Sequence, residues 1–129
     1  MYNQLGLNSI SHLQTQWKNA KLFILDEKSM VGRTQMGHID RRLRQICPSE
    51  ASEMLGGMST LIFGDFAQLP PVGDTLLYSD KSSSAHTSLS QEGCMVFEHF
   101  NQSVTLDTVF HQAGEENVQI AFRDALMHL

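Results

Sequence analysis

Two stretches of the chain place apolar residues every three or four positions, the spacing of an amphipathic helix. The first stretch lies within residues 9–20 and carries Ile10, Leu13 and Trp17. The second starts at Thr34, and its apolar positions are Met36, Ile39, Leu43 and Ile46. Because Pro48 cannot continue a helix, we expect the second helix to end before it. Helical spacing returns in residues 94–100 and 116–129.

Two other stretches are continuous apolar runs bounded by polar residues, a pattern typical of strands buried on both faces of a parallel sheet. They are KLFIL, residues 21–25, and the apolar part of MSTLIFGD, residues 58–65. Asp26 and Glu27 follow the first run, and Asp65 ends the second. With a helix between them, the runs predict an α/β fold with a parallel sheet flanked by helices.

Turn-forming and small polar residues separate the later elements. GDFAQLPPVGD, residues 64–74, contains two prolines and two glycines and predicts a turn-rich loop. The Ser-rich residues 79–93 predict an exposed insertion or linker. Residues 104–106 form a short apolar run that predicts one more strand.

Composition limits the classes of protein to consider. A chain of 129 residues is large enough for one modest domain, and 41% hydrophobic with 18% charged residues is typical of a globular protein. We expect no membrane span and no targeting leader, because no apolar run is long enough for either. Cys47 and Cys94 lie far apart without a CxxC pair, which supports neither a zinc site nor a disulfide framework.

Charge is distributed unevenly along the chain, whose net charge is −5. Residues 1–48 contain seven Lys or Arg and three acids, whereas residues 49–129 contain two and eleven. Part of the basic excess lies on the polar face of the second predicted helix, at Arg41, Arg42 and Arg44. This face can contact DNA, or it can simply be solvated, and the sequence leaves both interpretations open.

The acids at the strand ends suggest a ligand site. In an open parallel sheet, ligands bind at the carboxyl ends of the strands, where loops converge. An Asp in that position can hold Mg²⁺, and an adjacent Glu can activate a water molecule. Gln68, in the proline-rich loop, can donate a hydrogen bond to a phosphate and accept one from water. An ordinary polar turn remains the alternative for each segment.

The pair of segments is more specific than either one alone. LDEKSMVGR, followed by LIFGDFAQLPPVGD, resembles motifs II and III of the superfamily-1B DNA helicases of the petite-integration-frequency (Pif) family, Helitron-type helicases included. The resemblance extends over WKNAKLFILDEKSMVGR, IDRRLRQI and VTLDTVFHQ, and so over nearly the whole chain. It implies part of a RecA-like P-loop NTPase domain, the first motor domain of a RecD-like helicase.

The same resemblance implies a function and a setting. The family would use ATP as substrate, with Mg²⁺, to move 5′ to 3′ on single-stranded or forked DNA as a monomeric motor. Repair, recombination and telomere maintenance are the implied processes. The implied location is the nucleus, with mitochondria as an alternative, in a eukaryote and the cytoplasm otherwise.

The resemblance also implies roles for individual residues. Asp26 would bind Mg²⁺ and Glu27 would activate water. Gln68 would sense the γ-phosphate, with Gly64 and Asp65 shaping its loop. His111 and Gln112 fall where the family has Arg-Gln, and a histidine cannot supply the permanent forked charge of an arginine.

Two further departures bear on activity. Lys28 stands where the family has an apolar residue, and we expect it to face solvent. The 129 residues contain no GxxxxGK[ST] phosphate loop, because GRTQMGHI, residues 32–39, lacks the Lys and the Ser or Thr. We therefore expect the isolated chain to be inactive, whether it is a fragment of a helicase or a decayed copy.

Three hypotheses follow. The chain is a helicase segment, a non-catalytic remnant that contacts DNA or protein, or an unrelated Mg²⁺-dependent phosphohydrolase using Asp26 and Asp65.

Overall fold

The computed structural model describes residues 6–65, 67–79 and 87–106. Within these ranges the chain forms three α-helices and two β-strands. In chain order they are α1 (Leu7–Trp17), β1 (Leu22–Leu25), α2 (Arg33–Ile46), β2 (Ser59–Ile62) and α3 (Ser88–Glu98). The first four confirm the two helices and two strands predicted from the apolar pattern. Short 3-10 turns occupy Lys28–Met30, Pro48–Glu50 and Met54–Gly57.

The two strands pair in parallel, from Leu22 opposite Ser59 to Leu25 opposite Ile62. Because β1 and β2 run in the same direction, the chain must cross back between them, and α2 provides that crossover. The arrangement confirms the predicted α/β fold with a parallel sheet and accompanying helices.

The prediction that both faces of the strands are buried is wrong for the part of the chain that the structure describes. One face carries Leu22, Ile24 and Leu61, which are 48%, 55% and 47% exposed. The other face, including Phe23 and Leu25, packs against the core. An apolar run places apolar residues on both faces, so it cannot tell whether one face or two are covered.

Helix α2 lies at the centre of the packing and contacts α1, α3 and the two 3-10 turns that follow it. Its residues Met36 and Leu43 are 1% and 3% exposed and belong to one core cluster with Val31, Leu77 and Val96. The apolar positions predicted for this helix therefore do face the core. The helix ends at Ile46, two residues before Pro48.

Helix α3 contradicts part of a prediction. The Ser-rich residues 79–93 were expected to be exposed, but residues 88–93 form the first half of α3, where Ser90 and Gly93 are buried. The side chain of Thr87 caps this helix by accepting a hydrogen bond from the Ser90 N–H at 3.2 Å. Local capping and packing against α2 thus outweigh the turn-like composition.

Close helix contact explains the buried glycine. A Cβ on Gly93 would lie 1.8 Å from the carbonyl oxygen of Arg33, and one on Gly37 would lie 2.4 Å from that of Leu89. Both separations are far inside van der Waals contact. Glycine at these two positions therefore lets the backbones of α2 and α3 approach each other.

The remaining predictions concern the end of the chain. Residues 104–106 form no strand, and Val104 and Leu106 are 87% and 82% exposed, since no neighbouring strand in the described ranges pairs with them. The predicted helix at 116–129 lies outside the described residues. Among the helices that the structure describes, none has the length and apolar character needed to cross a membrane.

Candidate functional site

The backbone pairing of the sheet continues past the ends of both strands. The N–H of Phe63 donates to the carbonyl oxygen of Leu25 at 2.7 Å, and the N–H of Lys28 donates to that of Phe63 at 2.9 Å. These two hydrogen bonds hold the segment after β1 beside the segment after β2. Asp26 and Glu27 are thereby placed next to the start of the proline-rich loop.

Gly64 allows the two segments to come this close. Its φ is +127°, and a Cβ there would lie 2.7 Å from the amide nitrogen of Lys28 and 3.3 Å from the Cα of Glu27. A side chain would be strained by the φ angle and would also collide with the backbone. The glycine therefore has a steric reason to precede Asp65.

The acidic pair forms a tight turn. The N–H of Glu27 donates to Oδ1 of Asp26 at 2.9 Å, and Glu27 itself has left-handed backbone angles, φ 56° and ψ 52°. This conformation is costly for a residue with a side chain, and such strained residues cluster at functional sites. Both acidic residues are exposed.

An open cleft of about 590 Å³ lies where these segments meet. The segment after β1 contributes Glu27, Ser29 and Met30, and the loop after β2 contributes the residues from Ala67 to Pro70. Gln68 and Glu27 therefore line the same cleft. Asp65 does not line the cleft but fixes the start of the loop, because its Oδ1 accepts a hydrogen bond from the N–H of Ala67 at 3.0 Å.

The donor set at this edge suits a hard divalent cation. Asp26 and Glu27 offer adjacent, exposed carboxylate oxygens, which Mg²⁺ prefers as ligands. In the described ranges no group of three His, Cys, Asp or Glu side chains could hold a metal. Mg²⁺ typically uses one or two carboxylates and takes its other ligands from phosphates and water, so two carboxylates fit it.

Asp74, which was not among the predicted site residues, anchors the far end of the same loop. Its carboxylate accepts hydrogen bonds from the N–H groups of Thr34 and Gln35, at 3.2 and 3.1 Å, in the first turn of α2. Gly32 makes room, since a Cβ there would lie 2.3 Å from the Asp74 carboxylate. Pattern analysis finds caps from neighbouring residues, and it cannot link a helix start to an acid forty residues downstream.

We predict that Asp74→Ala lowers the free energy of unfolding by about 1 kcal/mol near neutral pH, the usual cost of losing a helix cap. Burial alone would raise the pKa of Asp74, but hydrogen bonds from Gln35, Thr34 and Thr75 lower it below its ordinary value of 3.8. The carboxylate therefore stabilises the fold fully above pH 3.8, and this contribution is lost as the pH falls further, through the folded pKa.

Urea unfolding of the natural chain and of Asp74→Ala at several pH values measures the difference. It should be constant above about pH 5 and shrink in more acidic solution. A difference that grows on acidification would show that Asp74 does not act as a charged cap.

The arginines predicted to form a DNA-binding face mostly have partners inside the fold. Arg41 donates two hydrogen bonds of 2.7 Å to the carboxylate of Glu92 on α3. Arg44 donates to the buried Asp40 at 2.8 Å and to the carbonyl oxygens of Ala51 and Ser52. These contacts give Arg41 and Arg44 a role in joining elements, whatever else they bind.

Arg42 is half-buried and donates to the side chain of Gln45 at 3.3 Å. None of the three arginines lines the cleft. His111 and Gln112, the other predicted phosphate contacts, lie outside the described residues.

Comparison with known proteins relates nearly the whole chain to one family. The profile of the PIF1-like helicase family matches residues 2–128. A relative named ATP-dependent DNA helicase PIF1, from Candida albicans, is 29% identical over 113 residues, or 79% of this chain and 11% of that protein. The protein of the same name from Saccharomyces cerevisiae is 29% identical over 107 residues, covering 83% of this chain and 11% of its own length.

A third relative, ATP-dependent DNA helicase RRM3 from Saccharomyces cerevisiae, is 33% identical over 66 residues, 51% of this chain and 9% of that protein. No solved structure matches the chain significantly. The chain thus spans about a tenth of the length of the curated relatives it matches. Since the family profile covers almost every residue, and the fold is the parallel α/β arrangement expected of part of a RecA-like domain, the chain belongs to the PIF1-like helicase family.

Proposed function

We propose that the chain is a segment of an ATP-dependent DNA helicase, and that the cleft at the carboxyl edge of its sheet binds the phosphates of Mg²⁺–ATP. The observation that carries the proposal is that Glu27 and Gln68, from two different motifs, line one cleft. A carboxylate and an amide facing the same space are the groups needed to activate and orient a water molecule. Family membership argues against the third hypothesis, an unrelated phosphohydrolase.

The candidate residues at this edge of the sheet have distinct chemical parts in this proposal. Bound Mg²⁺ would supply positive charge that offsets the charge developing on the phosphates. Asp26 would hold that ion, with one of its oxygens fixed by the Glu27 N–H. Glu27 would accept the proton of the attacking water, and Gln68 would orient the water and the γ-phosphate. Gly64 and Asp65 would set the path of the loop that carries Gln68.

The finer properties of the parent protein are those that the resemblance of the two motifs implies, and they are proposed with it. They are 5′-to-3′ unwinding of single-stranded or forked DNA by a monomeric motor in repair, recombination or telomere maintenance, in the nucleus or mitochondria of a eukaryote. The printed names of the relatives, ATP-dependent DNA helicases, support the coarser part of this description.

An ATPase assay with and without single-stranded DNA tests the proposal. The isolated 129 residues should bind ATP weakly and show no DNA-stimulated turnover, because they contain no GxxxxGK[ST] sequence to hold the triphosphate. A version extended upstream through such a sequence, where the gene supplies one, should gain that turnover. Robust turnover by the isolated chain would contradict the need for the loop.

The arginines of α2 are the observation behind a second candidate, a non-catalytic remnant that contacts DNA, since Arg41 is exposed on that helix. The contact would then be formed by Arg41, Arg42 and Arg44. Arg41 and Arg44 would have to leave their present partners within the fold and bind DNA phosphates instead. Salt-dependent DNA binding by the isolated chain that weakens in Arg42→Ala, with no turnover in the extended version, would select this candidate.

A further inference from the structure

Ser29 is a polar residue of the cleft to which no role has been given above. It lies in the 3-10 turn Lys28–Met30, two residues after Glu27, and is only 4% exposed. Its hydroxyl oxygen is buried, and the structure shows no hydrogen-bond partner for it in the described ranges. Burying an unbonded hydroxyl costs free energy, so such a group in a native protein calls for a partner.

Gln68 is the residue of the cleft best able to supply that partner. It lines the same cleft as Ser29 from the opposite segment, and it is exposed. Its side-chain amide can donate two hydrogen bonds and accept others, whereas a hydroxyl can donate one and accept two. The prolines at 70 and 71 restrict the backbone that follows it, so the Gln68 side chain is the part of this segment that is free to rotate.

We propose that the hydroxyl of Ser29 hydrogen-bonds the side-chain amide of Gln68 and holds it over the cleft. Ser29 is then a positioning residue that acts through Gln68. What the positioned glutamine does for the nucleotide rests on the proposed function. The hydrogen bond itself does not, because both of its groups belong to this chain.

Ser90 provides a matched comparison. Like Ser29, Ser90 is 4% exposed, and its hydroxyl oxygen is buried without a hydrogen-bond partner in the described ranges. It lies on α3 and does not line the cleft. An effect caused only by removing a buried, unbonded hydroxyl will appear in both Ser29→Ala and Ser90→Ala. An effect that acts through Gln68 will appear in Ser29→Ala alone.

Nuclear magnetic resonance of the ¹⁵N-labelled 129-residue chain tests the proposal. The side-chain amide signals of Gln68 are assigned by their loss in Gln68→Ala and recorded for the chain alone and with Mg²⁺–ATP. Ser29→Ala should shift them toward the position of a solvent-exposed glutamine in at least one of these samples. Ser90→Ala should leave them in place, and Ser29→Thr, which keeps the hydroxyl, should keep them near their original position.

Gln68 signals that do not move in Ser29→Ala in either sample would overturn the proposal, as would an equal shift in Ser90→Ala. The backbone amide signals of Asp26 and Glu27 report separately on whether Mg²⁺–ATP binds. At Mg²⁺–ATP concentrations high enough for the weak binding expected of the isolated chain, an unresponsive acidic pair with a responsive Gln68 would refute the proposed function and leave the positioning role standing. If the acidic pair responds to Mg²⁺–ATP but the Gln68 signals do not respond to Ser29→Ala, only the positioning role is refuted.

Discussion

Glu27→Gln is expected to lower DNA-stimulated ATP turnover by about 10²- to 10⁴-fold, the range that general acid–base groups contribute. The measurement uses the version of the chain extended through a GxxxxGK[ST] sequence, because the isolated chain should have no turnover to lose. An amide has nearly the shape of the carboxylate but cannot accept the proton of the attacking water. Nucleotide binding should therefore persist while hydrolysis fails, so kcat should fall much more than KM changes.

Glu50→Gln is the matched control for this substitution. Glu50 is exposed and lies in the 3-10 turn after α2, at the opposite end of that helix from the cleft. Removing its charge changes the net charge by the same amount as Glu27→Gln. Similar turnover in the two variants would contradict the role of Glu27 as the base.

Gly93→Ala is expected to lower the free energy of unfolding by about 3 kcal/mol, at the upper end of the usual cost of overpacking a core. The added Cβ would lie 1.8 Å from the Arg33 carbonyl oxygen and 2.8 Å from the amide nitrogen of Gly37. Both obstacles are backbone atoms of α2, so no side chain can rotate aside. Relief requires α3 to move away from the helix that carries the core residues Met36 and Leu43.

Urea unfolding monitored by circular dichroism measures this loss. Gly6→Ala is the control, because a Cβ on Gly6 would meet nothing within 4 Å, and its φ of −59° suits any residue. Gly6→Ala should lower the free energy of unfolding by no more than about 1 kcal/mol, because Gly6 is the N-cap of α1 and alanine caps a helix less well than glycine. Equal stability of the two variants would show that α3 does not pack on α2 as described.

Much of the fold could be predicted because the apolar pattern of α2, the central helix, matches the face that it buries. Met36 and Leu43 recur at helical spacing and do face the core. The exposed face of the sheet could not be predicted, since Leu22 and Ile24 have the same character as buried residues. The start of α3 was hidden by its serines, although Thr87 is a good capping residue and could have marked it.

The candidate site could be predicted only in part, for a topological reason. Acids and amides that follow parallel strands meet at one edge of the sheet, so Glu27 and Gln68 could be paired in advance. Asp74 reaches its site through a loop whose path no local pattern describes. Ser29 carried no signal either, because its burial without a partner is a property of the packing.

Paramagnetic broadening by Mn²⁺ tests most directly whether this edge of the sheet binds a metal and nucleotide. Mn²⁺ accepts the same oxygen ligands as Mg²⁺, and it broadens the signals of nearby nuclei. With ATP present and less Mn²⁺ than protein, the amide signals of Asp26, Glu27 and Gly64 should broaden before the other signals do. In Asp26→Asn these three signals should no longer broaden first. Broadening that begins elsewhere, or that Asp26→Asn leaves unchanged, would contradict the assignment of the cleft.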